Sequence, residues 1–285
     1  MLIHLLLAFQ AATARPSGAT GAELVAPGII NTAADEYGPT ITPDGRTMYF
    51  TLRVNRRGQE NIVMSSLDSA GRWTAPQVAP FSGGGFDKEP YLSPDGKKMF
   101  FASTRFYPGK DTSGVGEERF DIFLVERTVE EWGVPRPVTD VNSSMYDNYP
   151  AVARNGNLYF ASHRLPGHGN DLFMARNING RYDVPRPLLR LNTRFTDADP
   201  FIAPDESYII FSSDRTGGAG QGDLYISFRR NGVWAAPASL GPLVNTADYE
   251  YTPFVTADGK WLYFSRGWGE IWRIETRLLD AMKPH

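Results

Sequence analysis

The chain of 285 residues is 41% apolar and 13% aromatic, and its 28 glycines and 21 prolines suit a turn-rich all-β domain with a sizeable core. A net charge of −3 argues against nucleic acid or an anionic membrane surface as the main partner, and no apolar stretch is long enough to span a bilayer. With no cysteine, disulfides, thiolate metal sites, a cysteine nucleophile and a lipid-modified N-terminal cysteine are all excluded.

At the N-terminus, Leu2 to Phe9 form an apolar run followed by Ala12-Thr13-Ala14. An apolar core of this length before a small-x-small site predicts a secretory signal peptide at 1–14, although a basic leading region is missing. Residues 15–22 are rich in Pro, Ser, Gly and Ala and read as a linker.

From there a motif recurs five times at intervals of about 50–60 residues, the sign of a repeated supersecondary unit. Each copy opens with an acid three residues before a proline: Glu36/Pro39, Asp87/Pro90, Asp147/Pro150, Asp197/Pro200 and Glu250/Pro253. A turn follows at Pro43-Asp44-Gly45, Pro94-Asp95-Gly96, Arg154-Asn155-Gly156, Pro204-Asp205-Glu206 and Ala257-Asp258-Gly259. Asp-Gly and Asn-Gly favour the φ > 0 of a tight hairpin, so Asp205-Glu206 predicts a different turn in the fourth copy. An apolar run then ends in Phe50, Phe101, Phe160, Phe211 or Phe264, with Arg53, Arg105, Arg164, Arg215 or Arg266 shortly after.

A third strand begins at Asn61, Asp121, Asp171, Asp223 and Glu270. A fourth, outer segment follows Trp73/Pro76, Trp132/Pro135, Tyr182/Pro185 and Trp234/Pro237, where an edge strand can spare a backbone donor. Four strands per repeat predict a five-bladed β-propeller over residues 23–275, with a C-terminal tail at 276–285. The fifth repeat lacks its outer segment. Ile29-Ile30-Asn31-Thr32-Ala33 matches Leu243-Val244-Asn245-Thr246-Ala247, so the N-terminal strand is expected to complete blade five and close the ring.

Pro-Asp-Gly after a short strand, Phe-x-Ser-x-Arg, Asp-Ile/Leu-Tyr/Phe, Trp-x-x-Pro and Asn-Thr before the opening acid resemble the WD40-like repeats of TolB-type β-propellers. The resemblance implies a bacterial envelope or secreted protein that binds other proteins; some relatives act on sugars.

Alternating strand direction puts the loop before strand one and the loop between strands two and three on one face, here termed the upper face. Three polar columns therefore gather there: the opening acids Glu36, Asp87, Asp147, Asp197 and Glu250, the five arginines, and Asn61, Asp121, Asp171, Asp223 and Glu270. An arginine can fork between two carboxylates, and a feature repeated in every blade reads as an intrablade staple.

Function is sought where the repeats differ. Glu89 and Asp199 stand directly before the proline, where the other copies have Gly38, Tyr149 and Thr252. Two residues from the opening acid on extended chain, they are expected to face the central opening with it, for acid/base chemistry or for a ligand. No metal site and no cofactor is predicted, although a channel cation such as Ca2+ could sit between such carboxylates. Tyr107, Tyr149, Tyr251 and Trp268 are the further ligand candidates, Trp268 because it lies between two glycines in the shortest loop of this face. The insertion Phe106–Phe120 in blade two could cover the opening as a flap. Gly217–Gly222 follows no strand-to-helix junction and is not a phosphate loop, and His163 with His168 lacks the spacing of a metal site.

The leading expectation is a periplasmic or secreted binding module for a protein or glycan, using the upper face. A glycoside hydrolase or lyase with Glu89 and Asp199 as its carboxyls is the alternative, and a structural envelope scaffold a third.

Overall fold

A computed structural model describes residues 21–54, 58–111, 113, 119–129, 131–167 and 169–283. The expected signal peptide, most of the linker, His168 and part of the blade-two insertion lie outside the described residues.

Five antiparallel sheets form the five blades. Blade one contains Asp35–Ile41, Thr47–Arg53, Glu60–Ser66 and Gln77–Val78 from the axis outward. Blade two contains Asp87–Leu92, Lys98–Ser103, Asp121–Glu126 and Arg136–Pro137, and blade three Asp147–Val152, Leu158–Ser162, Asp171–Ala175 and Arg186–Pro187. Blade four contains Asp197–Ile202, Tyr208–Ser213, Asp223–Arg230 and Ala238–Ser239. Each outer strand starts directly after the proline of its aromatic-x-x-Pro motif, on an edge where the missing N–H does not interrupt a ladder.

Blade five takes Glu250–Val255, Trp261–Arg266 and Glu270–Glu275 from the C-terminus and Glu23–Leu24 from the N-terminus. The pairing places Glu23 opposite Arg273 and Leu24 opposite Trp272. The Asn motif secures this closure. Asn31 Nδ2 donates to the Val25 and Ile271 carbonyls at 2.6 and 2.9 Å, and its Oδ1 accepts the Ile271 N–H at 2.7 Å. Asn142, Asn192 and Asn245 clamp Ile122, Leu172 and Leu224 of their own blades in the same way.

The core lies between the blades. Phe50, Phe101, Phe160, Phe211 and Phe264, the last apolar residues of the repeated run, are all fully buried. Within the tail, Arg277–Asp280 form a helical turn whose Leu279 is buried against the core.

Two expectations about local geometry need correction. The innermost strand begins at the opening acid, or one residue before it in blade one, and not at the proline, because the proline sits inside a β-bulge. The fourth hairpin is not different: Glu206 adopts φ 59°, in the same left-handed region as Gly45, Gly96, Gly156 and Gly259. What holds a glutamate there is its side chain, which accepts bonds from Asn157 at 2.8 Å and Tyr159 at 2.7 Å in blade three and pairs with Arg229 at 3.1 Å in blade four.

Candidate functional site

Most of the rim is occupied by structural work. In blades two to five the opening acid is buried and takes hydrogen bonds from the loop that precedes it. Asp87 accepts from the Gly83 N–H at 2.7 Å and the Ser103 hydroxyl at 2.7 Å, and Asp197 from the Thr193 hydroxyl at 2.9 Å. The column arginine completes each site, with Arg105 at 2.8 Å from Asp87, Arg215 at 2.6 Å from Asp197, Arg266 at 2.9 Å from Glu250, and Arg164 on Asp147. The same guanidinium lies over the buried Phe of its blade and bonds a loop carbonyl: Phe81, Val141, Leu191 or Val244.

Among the described residues, the arginines of blades two to five pair with their opening acids, and the expected fork to the third-strand acid is not seen. Arg53 does bridge two carboxylates, but they are Asp35 at 2.9 Å and Glu60 at 3.2 Å, neither of them a column residue. The third-strand acids have other duties. Asp121 holds Arg119 at 3.2 Å and the buried Lys110 at 3.4 Å, rooting the blade-two insertion. Asp223 receives the Ala219 and Gly220 N–H groups of the Gly-rich loop, and Glu270 the Trp272 indole at 3.3 Å. Asn61 is the second residue of the corresponding strand of blade one, opposite Leu52, one place later than expected, and Asp171 starts that of blade three, opposite Ser162.

Blade one departs from the pattern. Glu36 is buried and receives the Thr32 N–H and hydroxyl, but no arginine among the described residues reaches it. Burial pushes its carboxyl up to about 7, assisted by Asp35 and Glu270 and opposed by the Thr32 bonds.

The opening acids therefore point into their blades and not toward the axis. What faces the axis is the residue before each proline, and a bulge turns it there. The ladder between strands one and two slips in every blade, between Tyr37/Thr40, Lys88/Tyr91, Asn148/Ala151, Ala198/Phe201 and Tyr251/Phe254. At each slip the central residue has positive φ: Gly38 65°, Glu89 56°, Tyr149 51°, Asp199 53° and Thr252 46°. Only Gly38 takes this conformation freely; for the other four it costs about 1–3 kcal/mol each, a strain that bulges at functional sites commonly carry.

These five residues and their prolines line a small axial pocket of about 30 Å3. Below it the residues after the prolines close the axis. Tyr91, Phe201 and Phe254 from three blades meet with ring centroids 5.9–6.4 Å apart, all buried, so the pocket is a dead end opening toward the upper face.

Its electrostatics are uneven. Glu89 is ion-paired to Lys88 at 2.9 Å and accepts the Tyr149 N–H at 3.1 Å. Asp199 is 3% exposed, and neither of its oxygens has a partner at hydrogen-bond geometry; the Thr252 N–H only leans toward it. Burial raises both carboxyls, Asp199 well above the usual range because Glu89 adds repulsion that Lys88 only partly offsets. Burial alone would lower the Lys88 ammonium, but Glu89, Glu60 and Asp199 hold it above its ordinary value.

Glu89, Asp199 and Tyr149 thus meet at one pocket. Tyr251 stands beside it, stacked on Tyr249 at 5.0 Å and 6.0 Å from Tyr37. Tyr107 does not join them: it is buried in the cluster between blades one and two, edge-on to Phe123 at 5.8 Å. Trp268 stands on the rim at 67% exposure. Its loop is pressed against blade one, since a Cβ on Gly269 would lie 2.6 Å from the Asp35 Cα, and this projects the indole outward. Lys88 was missed as a site residue; its place beside Glu89 in Lys88-Glu89-Pro90 was the available signal. Among the described residues no group of three or more His, Asp or Glu is arranged to hold a metal ion.

The sequence matches no family model and no curated protein. Solved structures do resemble it. A TolB of Agrobacterium tumefaciens matches at TM-score 0.52 and 19% identity, covering 82% of this chain and 71% of that one. TolB of Acinetobacter baumannii matches at 0.52 and 17%, covering 87% of this chain and 56% of the other, so the chain spans little more than half of that protein. An α-L-arabinofuranosidase of Lactobacillus brevis matches at 0.53 and 14%, covering 82% and 84%. At these identities the likeness is one of architecture: the chain is a five-bladed β-propeller, similar in fold to the TolB structures and to the arabinofuranosidase.

Proposed function

We propose that the chain is a binding module of the bacterial envelope or exterior that recognises a protein through its upper face. One observation carries this reading. Among the described residues the exposed large aromatics are Phe86, Phe106 and Trp268, at 43%, 76% and 67%, and all three stand on the loops of that face. Exposed aromatic rings around a polar pocket are the composition of a protein-binding surface. The TolB-like fold is in keeping with protein recognition and with a periplasmic or secreted location, as is the apolar N-terminal segment.

A glycosidase would place a sugar ring between Glu89 and Asp199, and about 30 Å3 is room for little more than one water-sized group. The geometry therefore favours binding over glycoside cleavage.

A photo-crosslinking amino acid placed at Phe106 or at Trp268 tests the reading in an envelope extract. Both positions are expected to capture the same protein, and a probe at Val134 on the outer side of blade two is expected to capture none. Capture from Val134 alone would reject it. A glycan-array signal that disappears in Trp268→Ala, without any crosslinked protein, would replace it by the glycan reading.

A further inference from the structure

We propose that the axial pocket takes a primary ammonium group at the end of a flexible chain, with Asp199 as its acceptor. The proposal rests on the reading of the upper face as the binding face, and names the chemistry its centre selects.

The first argument is charge. Two carboxyls, Glu89 and Asp199, line the pocket, and one ammonium, that of Lys88, pairs with only one of them. Asp199 is left with both oxygens unpartnered at 3% exposure. A buried carboxylate without a partner is among the costliest groups a fold can keep, and here the backbone is held in a left-handed bulge that aims it at the axis. A second cation would let Asp199 give up its proton and ionise with a partner.

The second argument is size and shape. The pocket of about 30 Å3 matches a single water-sized group, and a primary ammonium is that size. A guanidinium or a quaternary ammonium is not. Because Tyr91, Phe201 and Phe254 close the lower end, the rest of the ligand must leave through the upper face. An aliphatic tether with its charge at the tip fits this geometry.

The third argument is the wall. Tyr149 lines the pocket, and the stacked Tyr249 and Tyr251 stand near enough to feel the Asp199 charge. A tyrosine ring in the wall beside a carboxyl favours a cation. Lys88 demonstrates the preference within the chain: its ammonium lies 4.1 Å from the Phe120 ring centroid and 5.4 Å from that of Tyr149.

An alkylammonium could come from a lysine side chain of a protein or from a free diamine, and titration calorimetry separates them. The probes are Nα-acetyl-lysine methylamide, 1,5-pentanediamine, and the Nε-acetylated form of the first. Both amines are expected to bind the wild type, the acetylated form not at all, and Asp199→Asn to weaken binding roughly tenfold or more. Glu89, Lys88, Tyr149, Tyr249 and Tyr251 are the titratable groups that face Asp199. An incoming ammonium should displace its proton, so the observed heat should vary with the buffer's ionisation enthalpy in the wild type and not in Asp199→Asn.

Binding of the lysine derivative but not the diamine would assign the site to a protein side chain, and the reverse to a free amine. Silence of both amines at about 10 mM would overturn the proposal. So would equal binding by the acetylated form, or by a variant whose melting curve proves it folded. A thermal shift by calcium chloride that depends on Asp199, with the amines silent, would overturn it in favour of a metal ion. Crosslinking from Phe106 and Trp268 does not involve the pocket, so amine binding without crosslinks would reject the protein reading alone, and crosslinks without amine binding the ammonium alone.

Discussion

Asp197 and Asp199 lie two residues apart on one strand, and both are buried, at 0% and 3% exposure. Their surroundings are opposite. Asp197 is saturated by the Thr193 N–H and hydroxyl and by Arg215, an arrangement repeated with small changes in three other blades. Asp199 has no partner, and no other blade carries an aspartate at its position. An acid kept in every blade does what every blade needs, which is to tie its loops together. Acids placed before the proline in only two blades, Glu89 and Asp199, at the cost of strain and desolvation, are better explained by something the pocket binds.

Substitution should separate the two most widely. Asp197→Ala leaves the half-buried Arg215 and the Thr193 N–H without their carboxylate and is expected to cost about 3 kcal/mol. Asp199→Asn removes a buried carboxyl without a hydrogen-bond partner and puts in a residue that accepts the left-handed region more readily, so stability should hold or rise by about 1 kcal/mol. Urea midpoints of the two variants at neutral pH measure the contrast. Equal destabilisation would mean that Asp199 is a structural residue after all.

The contrast sharpens at Glu36, which among the described residues is the one opening acid not paired to an arginine. Its folded carboxyl is raised to about 7, above its ordinary 4.5, so the folded state holds the proton more tightly. The stability this contributes is fully present below about pH 4.5 and is lost as pH rises through about 7. Glu36→Gln should therefore match the wild type at pH 4.5 and exceed it at pH 8 by up to about 3 kcal/mol. The difference between the two urea midpoints is the quantity to follow, because Glu89 and Asp199 titrate in both proteins and cancel. A constant offset across that range would show that Glu36 remains ionised throughout.

Sequence carried the architecture well and the site only in part. The blade count, the outer strands after Trp-x-x-Pro and the ring closure through Asn31 were legible because each follows from a repeated local pattern and a missing element. Glu89 and Asp199 were legible as departures from the repeat. The reason they face the axis was not: strict alternation put them beside the opening acids, and a bulge that turns one residue over leaves no signature except a proline shared by all blades. Tyr107 was misplaced for a related reason, since a ring in a surface loop and a ring folded back into an interblade cluster read alike. The partners of Arg53 depended on register, which the spacing of the arginines, three residues after the Phe in blade one and four in blades two to four, left unsettled.

Glu206 is the mildest test of the idea that departures from the repeat have local causes. Its backbone is in the left-handed region at φ 59°, where glycine stands in the other four turns. Glycine there would relieve roughly 1 kcal/mol of strain but lose the bonds to Asn157 and Tyr159 and the Arg229 pair. The Tyr159 hydroxyl would lose the carboxylate that accepts its proton. Glu206→Gly is therefore expected to be net destabilising by about 1 kcal/mol, and Glu206→Gln, which keeps an acceptor but not the charge, by less. If Glu206→Gly instead raised the melting temperature, the interblade bonds would be worth less than the strain, and the glutamate at this turn would have no structural reason.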